Sequence, residues 1–402
     1  MWPPKYKFVM PAKEPLWTRN FYFICLAQIA MTLAFYAIMP VLPLFIEKRL
    51  QISGLTMGLI VAAYTATATL SRPFTGYYLD RVGRKPIYAA TFCLFGLLFF
   101  FYPIAGGITA MLLLRLSHGL LWGSMMGAAT TLAVDLIPPA RRGEGLGMFG
   151  LTMNLGMALG PAIGILVSDW FGYDGLFIFG GLLVMAGFPL VLKLRAPAVA
   201  LSKKPFAWKN LLEKHSLPIA LVTLLLSFPF GGIMNYTAKY AADINVASGV
   251  FFLLLALGMA FARILAGRTF DRSGPSKAMA ISFIFLIAGM SLQTMTSHYP
   301  PFYASALLIG MGYGIAIPVG QAMVNILVRP ERRGAANATY LTAFDTGICL
   351  GIITIGHTHK EYGWPFSQGI ETACFVLAAV LFWSFCLPHY RRTLGAGQAE
   401  EV

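Results

Sequence analysis

The chain has 402 residues, of which 57% are hydrophobic and only 11% charged, with a formal net charge of +14. A water-soluble domain carries about 25% charged residues, so this composition excludes an ordinary soluble fold. The basic excess is spread over short segments between apolar runs and forms no single patch or stripe, which argues against a nucleic-acid partner.

Apolar runs of about 20 residues recur along the whole length, each able to cross roughly 30 Å of hydrocarbon at about 1.5 Å per residue. Only helices and closed barrels satisfy their backbone in that solvent. Runs that are continuous rather than alternating read as helices. Twelve spans are expected, at 20–45, 54–77, 87–106, 108–135, 146–168, 175–194, 217–242, 248–267, 277–297, 301–327, 335–357 and 366–388. The first follows a basic segment, is too long for a cleaved leader and has no convincing small-residue cleavage site. It is read as a permanent helix.

Charge at the ends of the spans sets their direction. With the N-terminus inside, the inner segments hold 23 of the 30 Lys and Arg residues. The outer ends hold Lys48, Arg49, Lys239 and Lys360, and Arg72, Arg115 and Arg263 lie within spans. Positive charge in short loops marks the cytoplasmic side, so both termini are expected in the cytoplasm. The five cysteines (Cys25, Cys93, Cys349, Cys374 and Cys386) all fall inside spans with no metal-like spacing. They read as packing residues, and no metal or cofactor is expected.

Between the second and third spans, charge interrupts the apolar pattern in Phe74-Thr-Gly-Tyr-Tyr-Leu-Asp-Arg-Val-Gly-Arg-Lys-Pro86. Arg72, Gly76, Asp80, Arg81 and Gly83 recur as Arg263, Gly267, Asp271, Arg272 and Gly274, always 191 residues later. The same offset carries Gly119 and Gly123 to Gly310 and Gly314, Pro139 and Arg141 to Pro330 and Arg332, and Gly156 and Gly160 to Gly347 and Gly351. The chain therefore reads as two parallel six-helix halves, 1–194 and 217–402, joined by a Lys-, Pro- and Ala-rich cytoplasmic linker over 195–216. Parallel six-helix repeats are a transporter plan, with substrate held near the midplane between halves that rock.

Gly76, Asp80, Arg81, Gly83 and Arg84 resemble the signature loop of the major facilitator superfamily, and the twelve spans, two halves and central loop extend that resemblance over essentially the whole chain. The fold it implies is an all-α membrane protein of two pseudo-symmetric six-helix halves. The residue types suit their places. Gly76 admits a close helix neighbour, Gly83 a tight turn, and Asp80 can meet the positive N-terminal end of a helix. By resemblance that helix is the eleventh span, near Ala335–Asn337, while Arg84 pairs with Asp135 at the inner end of the fourth. These contacts are expected to form when the halves close on the cytoplasmic side, as a latch favouring the outward-open state. The second copy, with Pro275 and Ser276 in place of Arg84 and Lys85, is weaker. Inner loops also carry such charges simply as topology determinants.

In the fifth span, Gly156-Met-Ala-Leu-Gly160-Pro161-Ala-Ile-Gly164 resembles the antiporter motif of the drug:proton antiporter branch, with Ile165 where a further glycine is usual. Glycines four apart give a smooth packing face and Pro161 permits a bend. A close, bendable seam between the halves would favour export. Ordinary small-residue packing is the plainer account.

Two charges lie deep in spans, where burial is costly and ionisable groups line cavities or ion paths. Asp345 stands near the bilayer middle of the eleventh span, in a setting, Ala343-Phe344-Asp345-Thr-Gly347, that looks like sugar- and metallophore-efflux members of the superfamily. It is the leading candidate for proton coupling. Arg115 opens Arg115-Leu-Ser-His118-Gly119, which resembles the family's fourth-helix motif with His118 in place of glutamine; Arg115 and His118 are further coupling candidates. Arg72 and Arg263, near inner helix ends, are expected to snorkel. Candidate substrate-cavity residues are Gln28, Thr32 and Tyr36 in the first span, Asn154 in the fifth, Asn235 and Tyr236 in the seventh, and Tyr313, Gln321 and Asn325 in the tenth. This hydrogen-bonding set suits a polar or anionic molecule at least as well as a lipophilic cation.

No phosphate-binding loop or nucleophile motif points to an enzyme or to ATP-driven pumping. The expectation is a monomeric secondary transporter of the bacterial inner membrane that exchanges protons for an exported small organic molecule. Proton-coupled uptake of a polar or anionic metabolite is the alternative, and a non-transporting membrane sensor is a more distant one.

Overall fold

A computed structural model describes residues 15–138, 141–196, 213–294, 299–328 and 333–399 of the chain, with the side chains at 73, 76, 77, 80, 142–144, 264–268, 271–273, 299, 333–334 and 395–399 left undescribed. The described chain is helical. In order it forms α1 (Arg19–Ile38), α2 (Leu42–Leu50), α3 (Gly54–Val82), α4 (Arg84–Leu98), α5 (Ile108–Leu136), α6 (Arg142–Lys193), α7 (Leu217–Asp243), α8 (Ser248–Thr294), α9 (Tyr299–Ile326), α10 (Arg333–Tyr362), α11 (Trp364–Leu381) and α12 (Leu387–Ala399). Among the described residues, nine stretches are both long and apolar enough to cross a membrane. Two of the helices each contain two spans: α6 turns at Gly172 and α8 at Gly274, both at φ 72°. With both arms of α6, the shorter first arm of α8 and α5 counted, twelve spans result.

The spans differ in places from the sequence reading, for local reasons. The first is expected to run on to 45, yet α1 stops at Ile38. Pro40 has no N–H to continue the ladder and disfavours helix in the residue before it. The chain restarts as the separate α2, with Pro43 in its first turn. The third span tightens into a 3₁₀ turn at Phe99–Phe101. The last passes through a π turn at Phe382–Cys386.

Backbone geometry repeats with the sequence. Positive φ occurs at Gly54 (68°) and Asn245 (55°), at Gly83 (99°) and Gly274 (72°), and at Gly172 (72°) and Gly363 (83°). Each pair is 191 residues apart. Asn is among the few residues other than Gly that tolerate this region, so the turn between the first two spans of each half survives a change of residue. Helix crossings repeat as well. A methyl group on Gly119 would lie 2.0 Å from the Tyr64 carbonyl oxygen, and one on Gly310 would lie 2.2 Å from that of Leu255.

Within the first half α1 packs on α6 and α3 on α5; within the second α7 packs on α10 and α8 on α9. The halves meet along two seams, α3 with α10 and α6 with α8. The expected linker falls mostly on 197–212, outside the described residues. At its described ends, Arg195 N–H donates to Asn20 Oδ1 (3.1 Å) and Glu213 N–H to Thr339 Oγ1 (2.9 Å).

Candidate functional site: a charge pair between the halves

Asp345 lies on α10, twelve residues past its first, Arg333. Thr69 and Arg72 stand on α3 in the other half, three residues apart and so on one helix face. Arg72 Nη2 approaches Asp345 Oδ2 at 2.7 Å, and Thr69 Oγ1 donates to the same oxygen at 3.3 Å. The pair is mostly sequestered, with side-chain exposures of 23% for Arg72 and 13% for Asp345. The expectation that Arg72 merely snorkels toward an inner loop is corrected: its guanidinium turns inward, because a carboxylate from the facing half offers a charged partner where hydrocarbon offers none. Tyr36 of α1 and Tyr64 of α3 lie within electrostatic range of both charges. Buried polar atoms without a hydrogen-bond partner remain here: Arg72 Nη1 and, one turn before Thr69, Thr65 Oγ1.

Arg115 and His118 form a separate buried cluster inside the first half. Arg115 donates to the Val61 carbonyl (2.8 Å) and to Tyr102 Oη (3.4 Å), and its guanidinium sits 4.6 Å above the Tyr64 ring. His118 Nδ1 is 2.9 Å from Tyr102 Oη, with its ring between those of Phe95 and Phe99. Among the described residues no carboxylate lies within 4 Å of Arg115. These contacts fasten α5 to α3, and Tyr64 is the one ring shared with the surroundings of Asp345.

The loop charges are divided. Arg84 meets Asp135 in an ion pair. Both residues belong to the first half, so the pair ties the start of α4 to the end of α5 and does not bridge the halves, contrary to its expected part in an inter-half latch. Gly83 caps α3 at φ 99°, as a tight turn requires. Arg81 lies in the last turn of α3 and is exposed. The side chain of Asp80 and the surroundings of Gly76 lie outside what is described. Near the start of α10, Asn337 is bonded to Asn325, whose Oδ1 accepts from it at 2.7 Å.

The glycine face of the fifth span also differs from expectation. Methyl groups on Gly156, Gly160 and Gly164 would meet Thr32 (2.2 Å), Tyr36 (2.6 Å) and the Ala37 carbonyl (1.9 Å), all on α1 of the same half. The glycines therefore seat α6 on α1 and not on the other half, with Pro161 buried among them. The seam residue is Ile165, which stands 3.5 Å from the position of a methyl on Gly249 of α8.

Of the expected cavity residues, Gln28, Thr32 and Tyr36 are buried on α1, with Gln28 Nε2 against Met126 Sδ and Thr32 Oγ1 bonded to the Gln28 carbonyl. Asn154 is partly buried and Gln321 exposed. Asn235 is bonded to the Gly231 carbonyl of its own helix, and Tyr313 Oη to the Leu226 carbonyl. Tyr236 lines a pocket inside the second half. Only Tyr36 of this set comes near the charge pair.

The seams close one face of the molecule, the one opposite the linker. There Gly58 abuts the Ile353 backbone and Gly356, Gly54 abuts Lys360, Ile165 faces Gly249, and Lys239 of α7 forms an ion pair with Glu47 of α2. Sequence reasoning missed Thr69, Arg72 and Glu47 as partners. A usable signal existed for Arg72, since a mid-membrane aspartate calls for a cation and Arg72 is one of only three cations within spans.

The sequence matches the Major Facilitator Superfamily over residues 24–272 and 240–401, and the chain belongs to that superfamily. It is a multi-pass membrane transporter of small molecules. Among its relatives is the quinolone resistance protein NorA of Staphylococcus aureus, 22% identical over 358 residues that cover 85% of this chain and 91% of NorA. Solved structures of the same fold include a bacterial homologue of the human lysosomal transporter Spinster, inward-facing and unoccupied (TM-score 0.77, 14% identity, 96% of this chain and 99% of that one). The nucleoside transporter NupG is another (TM-score 0.71, 16% identity, 91% and 99%).

Proposed function

We propose that this transporter is a proton-coupled antiporter that exports a small polar or anionic organic molecule across a bacterial inner membrane, with both termini cytoplasmic. The carrying observation is the Arg72–Asp345 pair, a charge contact in mid-membrane contributed by one residue from each half. A proton arriving at Asp345 removes the charge that holds Arg72, which loosens the contact between α3 and α10. Substrate held by the ionised pair, through Asp345 and the unpartnered Nη1 of Arg72, loses its carboxylate contact on that protonation and is released. A new substrate molecule favours the ionised carboxylate, so its binding from the other side of the membrane expels the proton. One carboxyl is thus occupied in turn by a proton and by substrate, which is the logic of exchange.

The positive-inside bias supports a cytoplasmic linker face, and on that reading the closed opposite face is the outer one. The likeness to NorA over most of both chains supports the export direction. Arg115, stacked on Tyr64 and bonded to the Val61 carbonyl, positions α3 beside the pair, and His118 braces Tyr102 next to it.

The test is proton movement in everted membrane vesicles under an imposed pH gradient, comparing wild type with Asp345→Asn on sugars, organic anions, amino-acid-derived metallophores and lipophilic cations. A compound that discharges the gradient only when Asp345 is intact establishes antiport. Substrate-driven movement of protons in the same direction as the compound would instead establish uptake by symport.

A further inference from the structure

The exchange described above uses one membrane carboxyl. A second lies inside the second half, on α11. Glu371 is 4% exposed, and its Oε1 is buried without a hydrogen-bond partner. Its place is built into the helix packing. A methyl group on Gly232 of α7 would lie 2.0 Å from Oε1, so the carboxyl fills the space that a side chain there would take. The preceding glycine, Gly231, lets α7 approach α10, where a methyl would come within 2.4 Å of the Ile348 carbonyl oxygen.

A small cavity of about 10 Å³, room for about one water molecule, borders the carboxyl, lined by Tyr236 and Tyr240 of α7, Gln293 of α8, and Trp364, Ser367 and Gln368 of α11. The titratable groups around it are Tyr236 and Tyr240, Tyr313 of α9, Cys374 of α11 itself, and His359 of α10, whose ring stacks on Trp364 at 4.6 Å. Lys239, one turn beyond Tyr236 on α7, is tied to Glu47. Among the described residues no Lys or Arg nitrogen lies within 4 Å of Glu371.

The two acids are therefore differently provided. Asp345 has a guanidinium beside it and Glu371 has hydroxyls, amides and rings. A bare carboxylate in such surroundings costs several kcal/mol, whereas the neutral acid does not carry that cost. The sites are also physically separate. A line of rings, Phe344–Phe230–Tyr313–Phe375, runs from the neighbour of Asp345 to one turn past Glu371 at centroid spacings of 5.9, 4.9 and 5.9 Å.

We propose that Glu371 is a proton-binding site of this transporter, distinct from Asp345. It holds a proton as the carboxylic acid while its side chain is buried between α7 and α11. When the second half rearranges and water enters, the O–H bond breaks, the proton passes to that water, and the electron pair stays on the carboxylate. Its part in transport rests on the proton-coupled reading given above, but proton binding itself is measurable without flux.

The experiment is infrared difference spectroscopy on the purified full-length protein in liposomes, following the carbonyl stretch of protonated carboxyl groups as pH is raised. Wild type is compared with Glu371→Gln, Asp345→Asn and Gly232→Ala. The expected result is a protonated-carboxyl band at neutral pH that Glu371→Gln abolishes, Asp345→Asn retains and Gly232→Ala shifts in frequency. The last variant keeps the acid, so it reports on the site even if Glu371→Gln fails to fold. A wild-type spectrum without that band, or a band unaffected by both Glu371→Gln and Gly232→Ala, overturns the proposal. If the band behaves as expected while vesicles show no proton movement with any compound, the coupling reading falls and the proton site stands.

Discussion

Neutralising Arg72 and Asp345 singly and together measures what their contact contributes to the described state. With Nη2 and Oδ2 2.7 Å apart, the charge centres lie about 4 Å from each other, which at an effective dielectric of about 20 corresponds to about 4 kcal/mol. Exposures of 23% and 13% leave little room for solvent screening. Asp345→Asn or Arg72→Gln alone strands a buried charge, at a cost of about 3–5 kcal/mol, and the double variant removes that penalty. The expected coupling energy is therefore about 2–3 kcal/mol, or roughly a 30- to 140-fold change in the ratio of states. Spin labels at Lys193 and Lys277, one on the linker side of each half in a cysteine-free background, report the ratio as a distance distribution. Each single variant is expected to shift the distribution strongly and the double variant much less than the sum. Additive shifts, or a coupling below about 0.5 kcal/mol, would show that the pair does not hold the halves, and the exchange reasoning would fail with it.

Other substitutions separate the remaining contacts. Asp135→Asn leaves Arg84 unpaired and is expected to lower the thermal midpoint by the equivalent of about 1–3 kcal/mol. It should not move the Lys193–Lys277 distance, because the Arg84–Asp135 pair lies within one half; a changed distance would restore the inter-half latch. Gly164→Val forces a side chain into the Ala37 carbonyl and is expected to cost about 1–3 kcal/mol, whereas Gly150→Ala, with open space around it, should be neutral in the same melting assay. Lys239→Gln breaks the pair with Glu47, whose side chain is 38% exposed. Screening limits that loss to about 1 kcal/mol or less, so accessibility of the face opposite the linker should rise by no more than roughly fivefold.

The spans were legible because a membrane leaves the backbone one economical choice, and the halves because a gapless offset of 191 residues is hard to produce otherwise. The same offset also predicted geometry beyond the quoted motifs: Gly172 and Gly363 turn alike although neither lies in the signature loop. Partnerships were harder. The Arg84–Asp135 contact could be named from residue types, but which half it served could not, since the two readings use the same charges. The Gly156, Gly160 and Gly164 face was recognisable as a packing surface, yet nothing in a spacing of four says which neighbour it meets. Arg72 was misread because its distance from the loop suited snorkelling equally well; only the approach of α10 brings Asp345 to it. Glu371 was passed over because its neighbours Gly232 and Tyr236 lie on another helix, far away in sequence.

The two sets of inter-half contacts differ in chemistry, and the difference bears on how the molecule moves. Opposite the linker the seams are glycine against backbone, as at Gly58 with Ile353 and Gly356, with an ion pair at the rim between exposed Glu47 and mostly buried Lys239. The glycine surfaces themselves part without stranding a charge, and the rim pair loses a partner that solvent already reaches at Glu47. At the centre, α3 and α10 are joined through Arg72 and Asp345, whose separation strands two charges unless a proton or a substrate replaces the lost partner. A rocking motion that opens the glycine seams freely but separates the central pair only with a replacement ties conformational change to ligand exchange. That link needs no further moving part than the two halves, and it places the decisive interaction at the residue the loop motif does not contain.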